Sequence, residues 1–414
     1  MIAEHRVVVT GIGIVSPIGT GVRAFWDGAL SGRVGTATLT RFDASDFDSH
    51  VAAQADDFDA GDYLDAKVFR RTDRFAQFAL VASQLALDDA SLAIPAEGRD
   101  DVGVYIGSAL GGLAFAETQH DAFRAAGARA VRPLLAISVF GAASTSNVAL
   151  AFGLRGPGVA NANSCAAGAV AIGDAFRAVA RGDVRAALAG GAEAPISPLI
   201  FGAFAVIKSM STRNDEPARA SRPFDRDRDG FVMSEGAAML VLERYDDAVA
   251  RGARIYGEIA GFGLTADAYH MTAPQPEGRN SSRAMLAALA EARVGVDEVE
   301  LVDAHGSSSL LNDATETVAL KAVFGERAFD VPIVATKGQH GHALGASGAW
   351  EAALSLLMIH EGRVPGAVNL DHVDPACDLD YVRDVRAMAP RVVLSNSTGF
   401  GGINAALVLR KIEN

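Results

Sequence analysis

The chain has 414 residues, half of them hydrophobic and 21% charged, and it carries a net charge of −13. That is apolar material for two or three domain-sized units or one large fused core, and the acidic balance excludes a uniformly basic nucleic-acid surface. With only two cysteines, Cys165 and Cys377, there is no disulfide framework and no CxxC zinc spacing. A reducing cytoplasm is the expected setting, and neither a leader peptide nor an apolar run of membrane-spanning length is read in the chain.

In chain order, residues 6–10 read as a buried strand stopped by Gly11 and Gly13. A second apolar run, 102–106, enters a glycine-rich turn at 107–112. Residues 165–181 fit a helix with Val170, Ile172, Phe176 and Val179 on its apolar side and Gly182 as its stop. Strands are expected at 186–189 and 237–242, the second followed by a charged helical stretch at 243–251. The alternation then repeats: strand 255–262, helix 281–293, strand 299–302, helix 313–324, strand 331–335, a Gly/His-rich turn at 338–345, helix 348–361, and strands 392–394 and 403–410. Strands alternating with helices predict α/β architecture. Reactive side chains at strand ends in both parts predict two related halves, 1–250 and 251–414, around one site.

Cys165 lies where a run of small and β-branched residues gives way to a helical pattern. Free backbone N–H groups and the positive end of the helix dipole there favour thiolate over thiol. His305 and His342 follow far downstream, as expected of a nucleophile whose partners meet it only in the fold. The plain alternative is a buried structural cysteine. Five segments stand out: the Cys165 turn, 226–232, 303–309, 336–342 and 399–402. Acyl transfer needs a thiolate, N–H donors for a tetrahedral oxyanion, and imidazoles near a carbonyl. The chain supplies each at turns rich in glycine. Asp227, Asp229 and Gly230 invite a calcium-loop reading, but the rest of that motif is missing.

RVVVTGIGIVSPIG at the start, SRPFDRDRDGFVMSEGAAMLVLE at 221–243, IYGEIAGFGLTADAYHMT at 255–272, GHALGASG at 341–348 and SNSTGFGGIN at 395–404 together resemble the β-ketoacyl-acyl-carrier-protein synthases. The match is to the elongating, FabF-type members of the thiolase superfamily and also to type II polyketide ketosynthase subunits, and it covers essentially the whole chain. The resemblance implies a thiolase-like fold layered αβαβα. It implies an acyl group carried on Cys165, then attack by the carbanion of decarboxylated malonyl-carrier protein, giving a β-ketoacyl product two carbons longer.

It further implies catalytic roles for His305, His342 and Lys337, with Glu316 as the carboxylate paired to that lysine. Phe400, between Gly399, Gly401 and Gly402, is expected as oxyanion donor and gate. Leu110 and Phe204 are expected along the acyl pocket, and Thr272, Ser307 and Ser309 along the pantetheine channel. Lys67, Arg70, Arg71 and Lys208 are expected to dock an acidic carrier protein. Tyr269 and His270 are read as structural, Cys377 as an inert loop thiol, and His340 as a residue behind the site or facing solvent. No cofactor and no metal are implied. The implied assembly is a homodimer, or a heterodimer with a chain-length-factor-like subunit, built on segment 132–165.

Departures from the family pattern bear on substrate and partner. Asn163-Ser164 stands where Thr-Ala is usual, Ser307 and Ser309 replace two threonines, and Gly338-Gln339-His340 replaces a Ser-Met-Thr type of triplet. A non-catalytic partner subunit and a thiolase acting on CoA esters are the alternatives. Cys165 argues against the first, and the absence of a second cysteine in the turn 399–402 argues against the second.

Overall fold

The computed structural model describes residues 5–413. Residues 1–4, part of the segment read as lacking a leader, and residue 414 lie outside them. Ten principal strands and six principal helices make two copies of one unit. The first copy runs β1 (Val7–Ser16), α1 (Arg74–Asp89), β2 (Val102–Gly107), α2 (Ala143–Phe152), β3 (Gly158–Asn161), α3 (Ala167–Arg181), β4 (Ala186–Glu193) and β5 (Gly236–Arg244). The second runs β6 (Gly257–Ala266), α4 (Arg279–Ala292), β7 (Leu301–Asp303), α5 (Leu310–Phe324), β8 (Ile333–Val334), α6 (Ser347–Glu361), β9 (Val392–Gly399) and β10 (Ile403–Arg410).

The strands lie side by side in the order β8-β7-β9-β10-β6-β1-β5-β4-β2-β3. Each half therefore has the same order and the same mixture of parallel and antiparallel pairs. The halves join where β1 and β6 pair antiparallel, Val7 opposite Ile259 and Val9 opposite Gly257. Helices α3 and α6 lie in the middle layer, α1 and α2 cover the outer face of the first half, and α4 and α5 cover that of the second. This is the layered arrangement expected.

Near-continuous apolar composition suits strands buried on both faces, and every residue of β1 is buried. Gly11 and Gly13 do not stop β1, contrary to the sequence expectation; they lie inside it. A Cβ on Gly11 would sit 2.2 Å from the Ala86 carbonyl oxygen, and one on Gly13 1.9 Å from that of Ala82. The glycines let α1 press directly on the sheet backbone.

The middle helices are made for burial. All residues from 347 to 359 in α6 are buried, as a helix apolar on every side requires. Both α3 and α6 are 15 residues long and end at a left-handed glycine, Gly182 (φ 81°) and Gly362 (φ 67°). Both begin after a turn containing a non-glycine residue at positive φ, Ser164 (φ 51°) and Leu344 (φ 43°). Among the described residues no helix is long and apolar enough to cross a membrane.

Candidate active site

Cys165 sits in the single-turn 3₁₀ segment Ser164–Ala166 that feeds α3. Small residues on both sides allow this crowding: a Cβ on Gly107 would lie 2.1 Å from the Ala167 carbonyl oxygen. A Cβ on Gly399, at the end of β9, would lie 3.0 Å from the Cys165 amide nitrogen, so the 399–402 turn passes directly over the nucleophile. The Phe400 N–H is aimed at the Cys165 sulfur. The thiol is not poised as thiolate, which corrects the sequence expectation. Burial pushes it up, against the opposing pull of the Ser164 hydroxyl, the Phe400 N–H and the Lys337 charge. Removal of water from the thiol is the largest of these effects.

His305 follows β7. Its backbone N–H and that of Gly306 donate to the two Glu316 carboxylate oxygens at 2.7 and 2.8 Å, and Asn396 donates a third bond to Glu316 at 2.7 Å. Glu316 thus holds the main chain of the histidine turn. Lys337 is instead paired with Glu351 on α6 and donates also to the His305 carbonyl. The expected Lys337–Glu316 pair is therefore replaced by Lys337–Glu351, and Glu316 is engaged instead by two backbone donors and one amide donor. Lys337 is 1% exposed, and a buried ammonium needs such a partner. Burial raises the Glu351 carboxyl, and the lysine charge opposes it.

The two imidazoles face each other edge to face, 5.1 Å between centroids. The Lys337 ammonium lies 3.5 Å from His305 Nδ1, so that nitrogen accepts and Nε2 carries the proton. Ser347, the first residue of α6, lies with its hydroxyl 2.8 Å from His342 Nδ1. Donation by that hydroxyl likewise leaves Nε2–H on His342. Burial, then the Lys337 charge, hold both histidines well below the usual range, with a smaller push from His342 on His305 and from His340 on His342. They are neutral hydrogen-bond donors at neutral pH.

Cys165, His305 and His342 open on one cavity of about 330 Å³. Phe204, Gly399, Phe400 and Gly402 line it, as do Thr272, Ser307 and Ser309. Gly401 lies just outside and donates its N–H to the Met271 carbonyl at 2.7 Å. Phe400 stacks on Phe204 at 6.0 Å, and Phe204 meets Phe231 edge-on at 5.8 Å. Leu110 does not line the cavity; it packs, half-buried, in the apolar cluster that contains Cys165, Phe204 and Leu344. The Ser307 and Ser309 hydroxyls bond each other at 2.8 Å.

Lys208 is exposed at the cavity, whereas Lys67, Arg70 and Arg71 ride on a separate exposed helix, Ala66–Arg71, outside its lining. His270 Nδ1 accepts the N–H groups of Thr272 and Ala273 at 3.1 and 3.2 Å and so shapes the loop that presents Thr272; Tyr269 is exposed.

His340 is buried, which overturns the solvent-facing reading. It lies between Phe25 and Trp350, with Nδ1 2.9 Å from the Gly341 carbonyl and Nε2 3.0 Å from the Thr336 hydroxyl. Burial and the Lys337 charge hold it at about 3. Cys377 is fully buried and pushed up to about 11 by burial, as an inert thiol is. The 225–229 segment is a scaffold knot: Arg222 pairs with Asp225, and Arg228 with Asp313 and Asp374. Arg228 also holds the carbonyls of Ser309 and Leu310 beside the cavity.

Glu351, Ser347 and Glu193 were not singled out in the sequence. Glu351 is the only acid in α6 before its last residue, and that isolation in an apolar helix was the available signal.

The family model for the N-terminal domain of β-ketoacyl synthases matches residues 4–248, and that for the C-terminal domain matches residues 256–371. A 3-oxoacyl-[acyl-carrier-protein] synthase 2 of Synechocystis sp. is 44% identical over 411 residues, 99% of each chain. That of Coxiella burnetii is 42% identical over 410 residues, again 99% of each. Among solved structures, a β-ketoacyl synthase from Burkholderia phymatum superposes with a TM-score of 0.91 at 36% identity, over 99% of this chain and 100% of that one. A type II polyketide ketosynthase, solved in complex with its acyl-carrier protein and bound to the hexaketide, gives 0.92 at 33% with the same coverage. With its fold, its site and both family domains in agreement, the chain belongs to the β-ketoacyl synthases.

Proposed function

We propose that Cys165 carries the acyl group in a decarboxylative condensation with malonyl-carrier protein, and that His305, His342 and Lys337 drive the second step. The observation that carries this reading is the opening of one thiol and two neutral imidazoles on a single cavity. In acyl transfer the Cys165 sulfur attacks the thioester, and the oxyanion is stabilised by the Cys165 and Phe400 N–H groups. The thiol proton leaves with the carrier's pantetheine sulfur. Malonyl thioester then places its carbonyl against the two Nε2–H donors. As the carboxylate leaves as CO₂, its electron pair is held as an enolate on that oxygen. The carbon attacks the Cys165 thioester, the C–S bond breaks, and one proton restores the thiol.

Lys337 orients His305 and keeps its Nδ1 an acceptor. Glu316 and Glu351 are positioning groups, for the His305 backbone and for Lys337. Phe400, on its glycine-flanked turn, is the gate over Cys165, with Phe204 as the ring it stacks on. Thr272, Ser307 and Ser309 would bond the pantetheine arm.

The partner in this reading is an acyl carrier protein, steered by Lys208 at the cavity and by Lys67, Arg70 and Arg71 nearby in sequence to one another. Exposed Ile137, Val139, Phe140 and Leu150, together with the edge strand β3, support a dimer built on this face. Two free buried cysteines fit a cytoplasmic setting. Peptide mapping after incubation with a panel of acyl-carrier proteins tests the assignment. The acyl mass is expected on the peptide holding Cys165; its appearance on Cys377 would sink the reading.

A further inference from the structure

We propose that Glu193 is a positioning residue that sets the depth of the acyl pocket, by tying the turn that carries Leu110 to the turn that carries Leu344. This rests on the expectation that Leu110 and Phe204 shape the acyl pocket; Phe204 lines the cavity and Leu110 packs in the apolar cluster beside it. Glu193 is the last residue of β4 and has no exposed surface. One carboxylate oxygen accepts from the Ser108 hydroxyl at 3.0 Å and the Leu110 N–H at 3.1 Å. The other accepts from the Ala109 N–H at 2.6 Å and the Gly345 N–H at 3.0 Å. Among the described residues no lysine or arginine side chain bonds it. Its two oxygens are met by three backbone N–H groups and a hydroxyl, drawn from two turns more than 200 residues apart.

The two turns are pressed together around this carboxylate. A Cβ on Gly345 would lie 2.5 Å from the Ala109 nitrogen and 2.7 Å from Glu193 Oε2. The neighbouring residues Leu110 and Leu344 pack in one apolar cluster with Cys165, Ile200 and Phe204. An acyl chain leaving the Cys165 sulfur on this side would meet Leu344, which lines the cavity, with Leu110 packed in the same apolar cluster, and Glu193 fixes both backbones. His342 is anchored separately: its N–H donates to the Val232 carbonyl at 2.8 Å, and its carbonyl accepts the Ser234 N–H at 3.0 Å. Loosening Glu193 should therefore act on the acyl group before it acts on the malonyl half-reaction.

Glu193→Gln keeps the shape but can retain only two of the four acceptor bonds, since its NH₂ faces donors on the other side. Ser108→Ala removes one bond and leaves the carboxylate. The measurement is kcat and KM for condensation with dodecanoyl and butyryl thioesters, alongside thermal melting. For Glu193→Gln the dodecanoyl-to-butyryl ratio of kcat/KM should rise about tenfold, carried by KM, because a freed Leu110 yields to the longer chain. Ser108→Ala should move it the same way by a smaller factor. A ratio that is unchanged or lowered in both variants, or an equal loss with both substrates, overturns the proposal. Failure of the wild-type enzyme to condense either thioester would overturn the pocket reading instead.

Discussion

The turn before α3 and the turn before α6 are the same device put to different uses. Each follows a short parallel strand, contains one left-handed residue, Ser164 or Leu344, and feeds a buried 15-residue helix. At the position after the left-handed residue, the first half has Cys165 and the second has Gly345. The first turn offers a thiol to the cavity. The second has no side chain there because Ala109 and Glu193 occupy the space, and its reactive group, His342, is displaced to the front of the turn. Under the proposed function this repeated scaffold divides the labour, the nucleophile in one half and the decarboxylating imidazoles in the other.

The most severe test of that division compares the matched positions. Cys165→Ala should abolish condensation with melting unchanged, and Cys165→Gln should retain malonyl decarboxylation, because a neutral side chain mimics the acylated state. Gly345→Ala should instead lower stability, by about 1–3 kcal/mol from forced overpacking. A Gly345→Ala protein that melts like wild type would break the comparison.

Next in size, His305→Ala and His342→Ala should each slow decarboxylation by about 10²–10³ while loading of Cys165 falls less, followed by CO₂ release and by intact mass. Both imidazoles titrate well below the ordinary 6.5. The folded state therefore binds fewer protons than the unfolded state, so stability falls as pH drops below 6.5. The catalytic form, the neutral one, should persist through that range. A decarboxylation rate that halves at the ordinary histidine value would show the rings to be solvated.

The two halves should also share their structural costs. Gly13 meets the Ala82 carbonyl oxygen at 1.9 Å from a built Cβ, and Gly263 meets that of Ala284 at the same 1.9 Å. Gly13→Ala and Gly263→Ala should each destabilise by about 1–3 kcal/mol, read from denaturant midpoints. Strongly unequal losses would mean that the halves have diverged in packing as well as in chemistry. The smallest effect belongs to the surface: Lys208→Glu with Arg71→Glu should raise KM for carrier-bound substrate a few-fold, with salt dependence, and spare small pantetheine thioesters. Equal loss with both substrate types would remove the docking role.

Much of this was legible from local pattern. The alternation of strands and helices and the cavity-lining motifs sit in contiguous segments whose chemistry is visible residue by residue. What was not legible came from distance. Gly11 and Gly13 look like strand stops until α1 is seen lying on them. The family resemblance makes Glu316 the lysine's partner, yet the carboxylate that reaches Lys337 is Glu351, delivered by a helix from the middle layer. Cys165 has the local setting of a thiolate, but desolvation by the surrounding layers decides its protonation, and no local pattern reports that. His340 was ambiguous because the rings that enclose it, Phe25 and Trp350, come from opposite directions in the chain.

The seam between β1 and β6 has a consequence for biosynthesis. Val7–Val9 pair on one side with β5 and on the other with β6. The second partner emerges about 250 residues later, a wait of roughly 12–50 s at bacterial elongation rates. For nearly all of that interval both edges of a largely apolar strand lack these partners, since β5 itself begins only at Gly236; unpaired edges are the condition under which nascent chains aggregate. The fused sheet that brings two half-sites together therefore leaves β1 waiting for strands of both halves, and its protection during synthesis falls to chaperones or to the helices that cover its faces.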